Sequence, residues 1–460
     1  MRRMFDSDET EAVLLIDASN AFNALNRKAA LHNIEYTCPE FATFARNLYQ
    51  CDAELFVPGS EDIVMSREGT TQGGPESMGL YAASTVMLTI PSPGIKKVFY
   101  ADDGAGAGTL TGLLEWWKDL QVQGPLLGYF PNPGKTWLIT KSQFYDQALR
   151  LFPDVNVTVE GHAYLGSFIG SQAATEKFVD EQIATWSVDI EALAKIADSD
   201  PQLAYSAYIF GTSRRWQFLC RSTPNVSQTL ERLEVLLKSK LIPSILGTSF
   251  CSEEMRKVLR LPPRLGGMGF QNPSEESDCE YENSRLATNE LSNAIFEQQT
   301  SLHIDSCTQE AALKEVKACK ERRLNEMQEE MKAVVSDHLQ KVIQLLCEKG
   351  ASSWLTSLPL QELGFRLNKL QFNDAICMRY DIRPRDVPSR CACGEQYSIN
   401  HCLSCKNGGY VHIRHNIIRN TIHDRPSERH LQRAEVGAFS SSSYRRISSS
   451  WVQYKCRGKI

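Results

Sequence analysis

Two adjacent aspartates, Asp102 and Asp103, stand directly after the apolar residues Val98, Phe99 and Tyr100 and directly before a glycine-rich string. The apolar run reads as a short strand and the glycines as a turn, so the acids are expected at the tip of a hairpin. Two like charges side by side are costly unless a cation lies between them, which points to a metal site. Asp and Gly are also the commonest turn residues, and a solvated turn is the plainer alternative. A third carboxylate bears on the choice, because Asp17 ends another apolar run, Val13 to Ile16. If the two strands are neighbours in one sheet, Asp17 meets Asp102. Three carboxylates at adjacent strand ends suit a two-metal phosphoryl-transfer site, with divalent ions ~4 Å apart serving the attacking and leaving oxygens. Magnesium fits such a site, since it takes few carboxylates and fills its octahedron with water and phosphate oxygens.

A second constellation is "CACGEQYSINHCLSC". Cys391, Cys393, His401 and Cys405 form a Cys-x-Cys, seven intervening residues, then His-x-x-x-Cys. Those are enough thiolate and imidazole ligands for one closed tetrahedral zinc site. Cys402 is a rival ligand, and a cysteine-rich turn without metal is the alternative.

These residues need elements to hold them. The chain has 460 residues, 42% hydrophobic and 23% charged, a globular composition with room for roughly three domains. The polar, acidic start "MRRMFDSDETEAVLLID" carries neither a signal peptide nor a transit peptide. The most apolar segment, "MGLYAASTVMLTI", is too short and too rich in Ser and Thr to span a bilayer. An intracellular protein, cytoplasmic or nuclear and without a membrane partner, is expected. Its 14 cysteines are mostly scattered singly, which suits a reducing compartment. A net charge of −5 argues against a uniformly basic nucleic-acid binder. Between Arg214 and Arg264, however, ten basic side chains face four acidic ones, so a local basic track is expected there.

Along the chain, "AVLLID" reads as a buried strand, "NRKAALHNIEY" as a helix, and "GTTQGGPESMGLYAASTVMLTI" as a Gly-rich loop running into an apolar helix. The acidic hairpin, a helix "TLTGLLEWWKDLQVQG", a strand "TWLIT" and a strand pair in "VNVTVEGHAYLGSFIG" follow. The expected class is α+β, with helices covering one face of the sheet. From about residue 175 to 247 the pattern is helical. Leu313, Val316, Leu324, Met327, Met331, Val334, Leu339, Val342 and Leu346 recur at three-and-four spacing, predicting a long amphipathic helix or a helical pair that Gly350 ends. A coiled coil is the alternative, although Lys320 interrupts the stripe. No internal repeat is visible, and after Arg425 a serine-rich disordered tail is expected.

Five segments fall in order: "LLIDASNAFN", "GTTQGGPESM", "VFYADD", "FPNPGKTWLI" and "YLGSFIG". Together they resemble motifs A to E of reverse transcriptases, the RNA-directed DNA polymerases, over roughly residues 12 to 170. The resemblance implies a right-hand polymerase: a palm over 1–174 with an antiparallel sheet, a helical thumb-like region over 175–270, a helical linker over 271–350, a zinc-knuckle region over 351–424 and a tail over 425–460. It implies that Asp17, Asp102 and Asp103 hold two Mg²⁺ ions, which Mn²⁺ can replace. Phe22 matches the bulky gate against a 2′-hydroxyl, Gln72 and Gly73 the loop that positions template and nucleotide, and Tyr100 belongs to the same substrate-binding set. Lys135 matches the basic catalytic residue near the leaving pyrophosphate, and Tyr164, Leu165 and Gly166 the primer grip. The implied partners are an RNA template, a DNA primer and deoxynucleoside triphosphates. The cysteine segment is similar to the Cys-Cys-His-Cys knuckle beyond the polymerase in LINE-class, non-LTR retrotransposon proteins, and "IRHNIIRN" after it fits that setting.

Without the motif order, Phe22 reads first as an ordinary core aromatic and Gln72 as a helix-leading polar residue. The "GKT" at Gly134 to Thr136 does not make a phosphate loop, because Pro131 and Pro133 break the loop and a strand follows. Three departures from the family pattern stand out. Only sixteen residues precede Asp17, where the family places most of its fingers; Gly74 replaces a usually acidic residue; and no acidic endonuclease pattern follows the cysteines. The expected protein is a retroelement-derived polypeptide truncated at both ends, with weak triphosphate binding. A non-catalytic nucleic-acid-binding remnant, using the zinc knuckle and a basic thumb, is the alternative, and a degenerate product without a stable role is a third.

Overall fold

A computed structural model of the chain describes residues 1–56, 58–299, 305–384, 387–407 and 410–423. It is a mixed α/β protein, largely helical, with one small mixed sheet. Among the described residues no helix is long and apolar enough to cross a membrane. The chain divides into two compact units, Met1–Val179 with Ser284–Lys314, and Asp180–Asn283 with the chain from Glu315 onward.

The strands of the first unit are β1 (Ala12–Ile16), β2 (Ala53–Phe56), β3 (Ile63–Ser66), β4 (Ile95–Tyr100), β5 (Asp103–Gly108), β6 (Trp137–Thr140), β7 (Asn156–Thr158), β8 (Gly161–Tyr164) and β9 (Ser167–Gly170). The main sheet has the order β4-β5-β1-β6-β7. β1 is central, and all five of its residues are buried. A strand covered on both faces must be apolar throughout, which is why "AVLLI" shows no alternation. One face packs Leu14 and Ile16 against Trp116, Trp117 and Leu120 of the helix Leu110–Leu127. The other packs Val13 and Leu15 with Met4, Ile169, Ile295 and Phe296.

The structure corrects three sequence expectations here. The sheet is covered on both faces rather than one, because Met4, β9 and the end of the helix Pro273–Glu297 close the second face. It is not wholly antiparallel, since β7 pairs parallel with β6; only β8 and β9 of the expected strand pair form a hairpin. The glycines after Asp103 do not make the turn. Gly104, Gly106 and Gly108 lie within β5, hydrogen-bonded to β4 on one side and β1 on the other. A Cβ at Gly106 would lie 2.9 Å from Trp116 Cε3 and closer still to Cζ3, and one at Gly104 would lie 3.0 Å from the Phe99 ring. Gly104 and Gly106 admit aromatic rings over the strand, and Gly108 admits the Gly94 carbonyl. The turn itself is made by Ala101 and Asp102, with Ala101 at φ +57°.

In the second unit, Tyr205, Tyr208, Phe270 and Phe372 build an aromatic core, and a buried Arg256–Glu234 pair at 2.5 Å lies within it. The amphipathic stretch forms a helical pair, Ser306–Lys332 and Asp337–Leu346, with Ser336 capping the second helix through Leu339 N. The expected basic track is largely neutralised: Arg215, Arg221, Arg232, Lys238, Lys240, Arg256 and Arg260 each pair with an acid. Most of those acids, such as Asp180, Asp189, Glu191 and Glu280, lie outside the Arg214–Arg264 segment. The serine-rich tail falls outside the described residues.

Candidate functional sites: an aspartate cluster and a cysteine-histidine cluster

The register of the sheet brings the three aspartates to one end. Ile16 of β1 faces Gly104 of β5, so the next step along both strands sets Asp17 beside Asp103. Tyr100 pairs with Asp103 across the hairpin, which leaves Asp102 at the tip. The neighbour of Asp17 by register is therefore Asp103 rather than Asp102. Burial, then the charges of Asp102 and Asp17, push the Asp103 carboxyl above its usual range.

The acids are held by aromatic hydroxyls. Tyr129 Oη donates to the Asp102 carbonyl at 2.9 Å, and Tyr164 Oη donates to the Asp103 carbonyl at 3.3 Å. Tyr164 closes β8, and the turn to β9 uses Leu165 at φ +49° and Gly166 at φ +74°. Asn132 N donates to the Asp17 carbonyl at 2.9 Å, anchoring the end of β1. The short helical turn Pro133–Lys135 then carries Lys135, whose Nζ lies 3.6 Å from Asp17 Oδ1. That oxygen is shielded from solvent and has no hydrogen-bond donor among the described residues.

The remaining sequence candidates surround this end of the sheet less tightly. Phe22, on the short helix Ala21–Ala24, stacks on Tyr81 with ring centroids 4.5 Å apart and packs against the core. Its ring thus serves the core whatever else it does. Gln72 and Gly73 lie exposed in the turn before the helix Ser77–Thr85, with Gly73 at φ +87°. Tyr100 is 62% exposed at the end of β4. Sequence reasoning missed Tyr129, which reaches Asp102, and Tyr81, whose hydroxyl pKa is raised by burial, then by the Asp102 charge. The available signal was a tyrosine within an otherwise apolar run, whose hydroxyl needs a partner when buried.

The second cluster lies in the second unit. One ligand atom from each of Cys391, Cys393, His401 and Cys405 falls within 4.8 Å of the others. Cys391 Sγ and Cys405 Sγ are 3.7 Å apart, and Cys393 Sγ is 3.1 Å from His401 Nε2. Sulfurs bound to one tetrahedral zinc at ~2.3 Å are separated by ~3.8 Å, so the thiol pair fits the ion. A hydrogen bond from the Cys393 backbone, then one from His401, bring the Cys391 thiol down to about 7, toward the thiolate a metal requires. The short helix Ile399–Ser404, capped by Ser398, presents His401, and Arg390 bridges to Gln396 at the base of the loop. Cys402 stands outside the ligand set.

A cavity of about 690 Å³ in the second unit is lined by Trp354, Phe365, Met378 and Tyr397 and not by Asp17, Asp102 or Asp103. No family model and no curated protein matches the chain, which leaves the geometry of the two clusters and the order of the motifs as the basis for a function.

Proposed function

We propose that the chain is the polymerase portion of a retroelement, a reverse transcriptase that extends a DNA primer on an RNA template. The observation that carries this reading is the meeting of Asp17 with the Asp102–Asp103 hairpin tip at one sheet end, with a solvent-shielded Asp17 oxygen that has no hydrogen-bond donor among the described residues and faces the Lys135 ammonium at 3.6 Å. A carboxylate oxygen so placed fits a cation. The palm reading draws on the same sheet and on the order of the five motifs.

Asp17, Asp102 and Asp103 would hold two divalent cations, Mg²⁺ or Mn²⁺. When bound, such ions activate the attacking oxygen and stabilise the leaving one. The primer 3′-oxygen loses its proton and bonds to the α-phosphorus of the triphosphate, while the bond to the bridging oxygen breaks and pyrophosphate departs. Lys135, 3.6 Å from Asp17 and exposed, can meet the pyrophosphate charge. Phe22 is braced by Tyr81 and would exclude a 2′-hydroxyl by its bulk. Gln72 and Gly73 would line the template side, Tyr100 the nucleotide, and the Tyr164–Gly166 turn the primer end.

Primer extension on an RNA template with Mg²⁺ tests the reading. The parent chain is expected to incorporate deoxynucleotides and Asp102→Asn to lose incorporation; extension by the variant at the parent's rate overturns the assignment. The cysteine-histidine cluster favours a second reading, a zinc-dependent nucleic-acid-binding protein without catalysis. In that case RNA or DNA is retained, with a salt dependence, while extension is absent from the parent itself.

A further inference from the structure

Two tyrosine hydroxyls hold the paired aspartates, and a third tyrosine, Tyr81, lies in the same core cluster as one of them, Tyr129. Tyr129 and Tyr164 donate to the two main-chain carbonyls. Tyr81 is 1% exposed, and its buried hydroxyl has no hydrogen-bond partner among the described residues. It is fixed from both sides: its ring stacks on Phe22, and it belongs to the same core as Trp116 and Tyr129. The nearby charge it feels is that of Asp102. A buried hydroxyl without an acceptor is destabilising, and it persists where it has a partner in another state of the site.

We infer that Tyr81 is a positioning residue for Asp102, its hydroxyl donating to one carboxylate oxygen when the other turns toward a bound divalent cation. This rests on the proposed cation site. Carboxylates that ligate a metal are commonly oriented by a hydrogen bond to the oxygen they do not commit to it, and loss of such a partner typically weakens metal binding about 10- to 100-fold. Tyr129, which shares the core of Tyr81, holds the Asp102 carbonyl, and an ionised carboxylate is a stronger acceptor than a carbonyl. The helix Ser77–Thr85, which bears Tyr81, thereby joins the Gln72–Gly73 turn to the cation end of the sheet.

The test is Mn²⁺ binding to the full chain, followed by the paramagnetic resonance signal of free Mn²⁺, with the melting temperature of the metal-free protein measured alongside. Tyr81→Phe keeps the ring and its stack on Phe22 and removes only the hydroxyl. It is expected to weaken Mn²⁺ binding by about tenfold or more and to leave the metal-free melting temperature unchanged or higher. Asp102→Asn is expected to weaken binding further. If Tyr81→Phe binds Mn²⁺ like the parent while Asp102→Asn does not, the positioning role is overturned and the cation site stands. If Asp102→Asn also binds like the parent, the cation site itself falls, and the role of Tyr81 with it. A lowered metal-free melting temperature in Tyr81→Phe assigns the hydroxyl to folding and overturns the inference.

Discussion

The hydroxyl of Tyr129 holds the main-chain carbonyl of Asp102 at 2.9 Å from a ring that is itself 1% exposed. The tip of the β4–β5 hairpin is thus tied to the core beneath it and not only to its own turn. Tyr129→Phe should lower stability by about 1 kcal/mol, the usual net value of one such bond, as read from urea unfolding. It should also weaken Mn²⁺ binding, because the freed tip lets Asp102 wander.

Leu165 spends its backbone in the left-handed region, followed by Gly166 in the same region. Two successive residues of that kind make the hairpin turn that Asn-Gly fills best. Leu165→Asn is expected to stabilise the protein by about 1 kcal/mol, measured by the denaturation midpoint. No gain in midpoint would mean that the 42% exposed Leu165 side chain compensates through packing.

Gly106 lies under the Trp116 indole with no room for a methyl group. Gly106→Ala should cost about 1–3 kcal/mol through overpacking. In a Trp116→Leu background the same substitution should cost less, so a double-mutant cycle is expected to show coupling. Additive effects would place the strain elsewhere on β5.

Zinc content of the purified full chain is expected at one ion per molecule. Cys393→Ser and His401→Ala should abolish it by removing one of four ligands, whereas Cys402→Ser should retain it, since Cys402 lies outside the set. Metal analysis after gel filtration under reducing conditions decides the point. Loss in Cys402→Ser with retention in Cys405→Ser would reassign the fourth ligand.

Lys97 is 8% exposed, bonded to Ser92 Oγ at 2.9 Å, and burial lowers its pKa against the opposing pull of Asp119. A lysine whose folded pKa is depressed burdens the native state while it stays charged. The burden lifts as pH rises through the folded pKa and is gone above the unfolded value of ~10.4. Lys97→Met should therefore raise the melting temperature at pH 7, with a gain that shrinks toward pH ~10. A gain independent of pH would attribute the effect to packing alone.

Much of the aspartate end was legible because each acid follows an apolar run, and a run of "AVLLI" or "KVFY" before a charge marks where a buried strand reaches the surface. The cysteine-histidine cluster was legible for a similar reason: the spacing of Cys391, Cys393, His401 and Cys405 is local. What escaped was long-range. The glycines of β5 carry the same composition as a turn, and only Trp116, on the next helix, makes them a strand. Tyr81 and Tyr129 look like core aromatics until the partners of their hydroxyls are known. The acids that neutralise Arg232 and Lys240 come from Asp180 and Glu191 on a distant segment, so a count of charges within one window could not find them.

β5 is a strand with almost no side chains on one face, and that has a consequence for how the chain can change. A residue on an ordinary strand offers many substitutions of graded cost. Gly104, Gly106 and Gly108 offer almost none, since their neighbours on that face are rings and a carbonyl oxygen, while Ala105 and Ala107 between them are buried against the opposite face. A saturation map of this hairpin would accordingly show a comb of forbidden positions running back from Asp103. The three acids then stand at the end of a segment that drift cannot easily bend, lengthen or slide, so their geometry can outlast the loss of whatever activity first required it.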